Sequence, residues 1–313
     1  MRIAIFGAGS VGGYFGGRLS QAGEDVVFIA RGEHLKAMLT HGLRVDSING
    51  DFAVQPVQAT DDPSKTGVVD VVLVGVKAWQ VSEAAEAMRP MIGPQTFVLP
   101  LQNGIEAPAQ LSEVLGDQHV LGGLCGLFCY VAGPGHIVHA GTDPFVKIGE
   151  LDNHRSQRVE LLLETFKRAG VKAQIPPDIQ VAMWMKFLLI AVWSGMGAVT
   201  RIPIGIWRSL PETRRMAELG LQEMIAVAAA RGISLPEKAL QTIMTMYDGL
   251  VPQSTASLQR DVMEGRPSEL EAQIGTVVRF GLEADVATPL FTFIYHSLLP
   301  MELRARGQLQ FGE

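Results

Sequence analysis

Residues 1–31 read MRIAIFGAGSVGGYFGGRLSQAGEDVVFIAR, and the order of residue types in this stretch decides the fold. Ile3-Ala4-Ile5-Phe6 is a continuous apolar run of strand length, followed at once by Gly7-Ala8-Gly9-Ser10-Val11-Gly12. A helical stretch then runs to about Ala22, Gly23 stops it, and Asp25–Ala30 forms a second apolar strand. Strand, glycine turn, helix and strand within about 30 residues make the βαβ unit of a parallel sheet. In that setting the Gly-x-Gly-x-x-Gly spacing acquires a mechanism. Gly7 permits the tight turn, Gly9 lets the backbone approach a pyrophosphate, and Gly12 lets the helix pack close on the strand. The helix N-terminus presents its amides to the anion, so Ala8, Ser10 and Val11 join the glycines as candidate cofactor-binding residues. A glycine-rich turn with no ligand is the competing reading; the flanking strands and helix argue against it.

The residue that follows the second strand chooses the cofactor. An enzyme for NAD places a carboxylate there to accept hydrogen bonds from the ribose 2′-hydroxyl. This chain has Arg31. A guanidinium pairs instead with a 2′-phosphate, and no carboxylate stands there to repel it. The expected cofactor is therefore NADPH, the alternative being a surface arginine of no consequence.

Beyond the first unit, residues 70–76 and 96–101 are further apolar strands, joined by a crossover helix over residues 81–91. Residues 135–149 alternate in polarity and carry turns, which predicts antiparallel strands closing one edge of the sheet. A helix over residues 156–169 and a strand over 171–175 complete the first domain, and Pro176-Pro177 punctuates its end. The rest carries almost no strand pattern. Residues 179–199, 213–231, 236–250, 253–264, 269–284 and 289–306 read as helices, with breaks at Pro203, Pro211, Gly232, Pro252, Gly265-Arg266-Pro267 and Pro289. The expectation is an α/β domain over residues 1–175 and an all-α domain over 176–313.

Composition narrows the function classes. The chain has 313 residues, 47% hydrophobic and 19% charged, with a net charge of −6, the balance of a globular protein with no footprint for nucleic acid. Its two cysteines, Cys125 and Cys129, lack metal-ligand spacing and cannot frame a disulfide scaffold. Buried free thiols, a cytoplasmic setting and no metal are expected. The longest uncharged, mostly apolar run, Phe187–Thr200, is 14 residues, shorter than the roughly 20 that cross a bilayer. The apolar start is broken by six glycines within residues 1–17 and lacks a signal cleavage pattern.

Ligands of doubly wound sheets bind outside the carboxyl ends of the strands. Lys77, after Val76, and Asn103, in Leu101-Gln102-Asn103-Gly104, fall there and are candidates to line a nicotinamide crevice. Singly, each also reads as a solvated strand terminus. Taken together, several segments resemble the ketopantoate reductase (2-dehydropantoate 2-reductase) family. These are Gly7–Gly12, Arg31, Val76-Lys77-Ala78-Trp79-Gln80, Gln102-Asn103-Gly104, Trp184-Met185-Lys186-Phe187, Ser257-x3-Asp261 and Gly265-Arg266-Pro267-Ser268-Glu269. The resemblance covers nearly the whole chain. It implies a Rossmann N-terminal domain and an all-α C-terminal domain of the 6-phosphogluconate dehydrogenase C-terminal type, with the active site in the cleft between them. It also implies reduction of ketopantoate to pantoate with NADPH, for coenzyme A synthesis. By the same resemblance Lys186 is the proton donor, Glu269 its partnering glutamate and Ser257 a substrate-binding serine, with Lys77 and Asn103 near nicotinamide and substrate.

The residues themselves agree with those roles. Hydride delivery to a ketone builds negative charge on oxygen, which needs a positioned acid. Lys186 stands at the edge of the apolar run Phe187–Trp193 and could supply it. The competing readings are a lysine that snorkels from its helix, an exposed carboxylate at Glu269, and helix caps at Ser257 and Ser268. One departure touches the pocket. The family carries asparagines four and eight residues after the lysine, whereas this chain has Ile190 and Ser194 on that helix face. Ser194 remains a substrate-binding candidate; Ile190 cannot hydrogen-bond a substrate. Open alternatives are therefore a paralogue acting on a different, more apolar 2-oxo acid, a related 3-hydroxy acid dehydrogenase, and an NADPH-binding regulator without catalysis. A homodimer through the helical domain is compatible with the sequence, as is a monomer.

Overall fold

The computed structural model describes residues 1–310. The chain forms two compact units: Met1–Gln102 with Glu106–Ala182, and Asn103–Ile105 with the chain from Met183 onward.

The first unit runs β1 (Arg2–Phe6), α1 (Ser10–Gln21), β2 (Asp25–Ile29), α2 (Gly32–His41), β3 (Leu43–Ser47), β4 (Phe52–Val54) and β5 (Gln58–Thr60). It continues with β6 (Val71–Val74), α3 (Val81–Met88), β7 (Phe97–Pro100), α4 (Ala107–Leu115), β8 (Leu121–Gly126) and β9 (Cys129–Gly133). Then come β10 (His136–His139), β11 (Phe145–Glu150), α5 (Gln157–Arg168) and β12 (Lys172–Gln174). Its main sheet has the order β5-β2-β1-β6-β7 with every pair parallel. Such a sheet is covered on both faces, so its inner strands are near-continuous apolar runs. In β1, Ile3 and Ile5 enter one buried cluster with Phe15 and Phe28, while Ala4 and Phe6 enter another with Val72 and Val98. Alternate side chains of one strand thus feed two cores, which is why the run looked uniformly apolar.

The expectation that residues 135–149 close an edge of this sheet is met only in part: a bridge from Val98 of β7 to Val120 leads into the small sheet that holds β11, whereas β10 lies elsewhere. β10 lies in a separate sheet of order β4-β3-β10-β9, paired parallel to β3, and β11 lies in a third of order β12-β11-β8. Strands β3, β4, β5, β8 and β9 carried no clear pattern: β4 and β5 have three residues each, and β8 is half glycine. Of the two thiols, Cys125 is buried and Cys129 only half-buried.

The second unit is helical, with the six segments the periodicity marks and one short helix besides. These are α6 (Ile179–Thr200), α7 (Ile204–Trp207), α8 (Pro211–Ala230), α9 (Ala239–Gly249), α10 (Ser257–Met263), α11 (Thr276–Glu283) and α12 (Pro289–Ala305). The short α7 was not expected. Pro289 opens α12 as expected, and Pro211 opens α8 two residues earlier than expected, as proline at the first turn does. A π-helical turn, Glu271–Gly275, precedes α11. α6 is 22 residues long and apolar enough to cross a membrane by composition, but 67% of its most apolar window is buried inside the protein. It is a core helix, apolar on nearly every side because protein surrounds it, with Lys186 its one charged residue.

Candidate active site

The three glycines of the first loop meet three different constraints. Gly7 has φ +97°, in the left-handed region, and a Cβ there would lie 2.7 Å from the Val76 nitrogen. A Cβ at Gly12 would lie 2.1 Å from the Gly7 carbonyl and 2.8 Å from Ile5, so helix α1 sits against β1 as only glycine allows. At Gly9 nothing lies within 4 Å. There the backbone faces open space, at the start of a helix that no side chain caps. Unsatisfied first-turn amides beside an open backbone form an anion cradle. The loop is tied to the end of β2, since the Gly7 and Ala8 amides both donate to the Ile29 carbonyl (3.1 and 3.2 Å). Arg31 follows two residues later. Its side chain is 65% exposed, with one long ion pair of 3.9 Å to the exposed Glu83, so the guanidinium is available to an incoming phosphate. Nearby, His34 accepts from the Gly135 amide through Nδ1 (3.1 Å), and burial lowers its imidazole pKa below the ordinary histidine value. Glycine loop and arginine together fit a dinucleotide carrying a 2′-phosphate.

Lys77 follows β6 and is half-buried, its amine 5.7 Å from the Trp79 ring centroid. The Gln102 amide donates to the carbonyls of Val74 (3.0 Å) and Val76 (3.1 Å), locking the exits of β6 and β7 together just where Lys77 and Asn103 leave them. Sequence reading quoted Gln102 within a motif without giving it this job. Asn103 is half-buried and is followed by Gly104 at φ +97°. A Cβ at Gly104 would meet the Ala272 carbonyl at 2.8 Å, so this loop lies directly on the π-turn.

In the second unit Lys186 is half-buried on α6, between the buried Trp184 and Phe187, whose rings meet edge to face at 5.7 Å. Among the described residues its amine has no ion-pair partner within 4.0 Å; Lys186 and Glu269 are not joined by a salt bridge. One turn on, buried Tyr247 donates to the Leu189 carbonyl (2.9 Å) and ties α9 to the lysine helix. Burial pushes the Tyr247 phenol pKa well above its usual value, so it stays a donor. Ile190 is half-buried, while Ser194 is fully buried with no partner for its hydroxyl. Further along, Gly197 packs against the Gln259 side chain, bringing α10 alongside α6. Ser257 is the half-buried first residue of α10, and the cap position is Ala256.

The loop from α10 to Glu269 is held by charge-assisted bonds. Arg266 donates to the buried Asp261 from Nη2 (2.7 Å) and Nε (3.2 Å). Ser268, fully buried, donates to Glu302 from its amide (3.0 and 3.1 Å) and its hydroxyl (2.5 Å). Arg306 closes the set, donating to Glu302 (2.7 Å) and to the Ser268 carbonyl (3.0 Å). Ser268 is therefore more than a cap, and Glu302 and Arg306 are site-supporting residues that sequence reading missed. Glu269 itself is 7% exposed, and the Gln273 amide lies 3.4 Å from its Oε2. The carboxylate competing reading, an exposed helix end, does not hold.

Comparison with known proteins accounts for both units. Residues 3–153 match the family described as Ketopantoate reductase PanE/ApbA, and residues 178–302 match its C-terminal domain. The 2-dehydropantoate 2-reductase of Nostoc sp. is 30% identical over 98% of this chain and 98% of its own length. The crystal structure of 2-dehydropantoate 2-reductase from Geobacter metallireducens, also 30% identical, superposes with a TM-score of 0.89 over 96% of this chain and 99% of that one. A D-mandelate dehydrogenase, solved with NADH and anilino(oxo)acetate, shares the fold at TM-score 0.90 over 98% of this chain and 100% of its own, with 22% identity. With a glycine cradle, an arginine at the end of β2, a lysine helix and a family match spanning both units, the chain belongs to the ketopantoate reductase family of oxidoreductases acting on CH–OH groups.

Proposed function

We propose that this enzyme uses NADPH to reduce the 2-oxo group of ketopantoate, giving pantoate. Residues 1–175 would serve as the cofactor domain and 176–313 as the substrate domain. The observation that carries the reading is the open backbone at Gly9 beside an available Arg31 guanidinium, in a chain whose second unit holds Lys186 and a buried Glu269, the residues to which the sequence resemblance assigns the catalytic roles. The glycine loop and Arg31 hold the cofactor, which supplies the hydride when bound. As that charge arrives, Lys186 stabilises the developing alkoxide and protonates it. Glu269 orients the lysine or the substrate, while Asn103, Ser194 and Ser257 grip the 2-oxo acid and Lys77 lies near the nicotinamide.

A second reading rests on Ile190. An isoleucine where the family has an asparagine favours a more apolar 2-oxo acid, and the D-mandelate dehydrogenase solved with anilino(oxo)acetate, which has this fold, is in line with that reading. Steady-state kinetics over a panel of 2-oxo acids, with wild type and Lys186→Ala, decide between them. Ketopantoate should be turned over best, and Lys186→Ala should lose roughly 10²–10⁴ in kcat. Preference for an apolar 2-oxo acid would replace the substrate and keep the mechanism. Equal rates for variant and wild type would remove Lys186 from it.

A further inference from the structure

Gln273 is a fully buried amide one helical turn beyond Glu269: its backbone N–H donates to the Glu269 carbonyl at 3.0 Å. Its Nε2 lies 3.4 Å from Glu269 Oε2, while its Oε1 is buried with no hydrogen-bond partner. Its neighbours Leu270, Ile274 and Val277 are buried and apolar. A leucine or methionine of similar volume would fill this place without leaving a carbonyl desolvated, an orphan that costs on the order of 1–3 kcal/mol. An amide is kept there at a loss to stability, and what it gains is the contact with Glu269.

The backbone around it is built to hold that contact. Gln273 is the middle residue of the π-turn Glu271–Gly275, a distortion frequent at functional sites. The Thr276 hydroxyl faces the carbonyls of Glu271 (3.2 Å) and Ala272 (3.1 Å) and can donate to either. Outside the turn, the Glu271 carboxylate is pinned by Tyr295 (2.7 Å) and Arg279 (3.0 Å). Upstream, Glu302 grips Ser268, the residue before Glu269. Glu269 is thus fixed at its backbone from one side and at its carboxylate from the other.

We infer that Gln273 is a positioning residue for the reaction, donating from Nε2 to Glu269 Oε2 and setting the direction of that carboxylate. The inference rests on the proposed role of Glu269. A structural amide and a positioning amide differ in sign: the first stabilises the fold, the second costs stability and serves the chemistry.

The test compares wild type, Gln273→Leu, Glu269→Gln and the double variant, using ketopantoate or whichever 2-oxo acid the panel shows to be turned over best. Gln273→Met is a second replacement in case leucine misfolds. Gln273→Leu should lower kcat roughly 10- to 100-fold, the scale of a misplaced group, with an unfolding temperature at or above that of wild type. Added to Glu269→Gln, it should change kcat by no more than about twofold, because it acts through a group already removed. An unchanged kcat for Gln273→Leu and Gln273→Met, or losses that multiply in the double variant, would overturn the inference alone. A Glu269→Gln enzyme with wild-type kcat would overturn both the role of Glu269 and the inference.

Discussion

In the proposed reading, Arg31 carries the cofactor preference as a single side chain. Its guanidinium is exposed and only loosely paired to Glu83, so little must be broken to meet a phosphate. Arg31→Ala should weaken NADPH binding roughly 10- to 100-fold, the equivalent of one or two charge-assisted hydrogen bonds. NADH, which lacks the phosphate, should change by no more than about twofold. Fluorescence titration with both cofactors checks this, and an equal loss for both would defeat the phosphate reading. At this scale the sequence was informative wherever function depends on local backbone. Gly7, Gly9 and Gly12 show the turn, the open approach and the close packing their spacing called for. It was silent wherever a partner is distant: Glu302 lies 34 residues from Ser268, and nothing in either segment announces the other. Gln273 could have been noticed, being four residues from Glu269 and so on its helix face.

Elements of the second unit are joined by caps that only the folded chain reveals. α12 begins at Pro289 after Thr288, which gives it no side-chain cap. The cap comes from α8 instead: Glu223 accepts from the amides of Leu290 (2.8 Å) and Phe291 (3.1 Å). Glu223→Ala should cost about 1–2 kcal/mol, the upper range for losing an N-terminal cap, with kcat and KM unchanged. Chemical denaturation reads the loss, and wild-type stability in the variant would show that solvent caps α12 equally well. Helix existence was legible here because long amphipathic or apolar runs declare themselves. Boundaries were not: α10 was expected from residue 253 and starts at Ser257, because Ala256, not a polar signal, precedes it.

For the molecule as a whole, two buried carboxylates of the first unit contribute to acid stability. Burial pushes Glu24 up, but the Met1 ammonium and Arg168 outweigh it; burial likewise raises Glu150, and Arg158 with Ser156 more than offsets this. Both end below their ordinary value of 4.5. The folded state therefore holds its protons less tightly than the unfolded chain. Their stabilisation is complete above that value and is lost as pH falls through the lower folded values. Their contribution to the melting temperature should stay level from neutral pH to about 5 and drop below the unfolded carboxylate range, whereas His34, whose pKa is lowered by burial, costs stability as pH falls below the ordinary histidine value. Glu150→Gln should melt lower near neutrality and lose less on acidification; an acid slope identical to that of wild type would contradict the assignment. The α/β and all-α halves were readable from hydrophobic period alone. The two extra sheets were not, since parallel pairing of β10 with β3 joins segments about 90 residues apart.

The π-turn at Glu271–Gly275 has a bearing on how relatives should be lined up. One residue more than an α-helix needs is taken up there. Every position ahead of it is therefore swung about 100° round the axis from where a helical wheel drawn through α11 would put it. Glu269 is the bend residue just ahead of that stretch, so a relative one residue shorter between Glu269 and Thr276 would aim its glutamate at a different quarter of the protein.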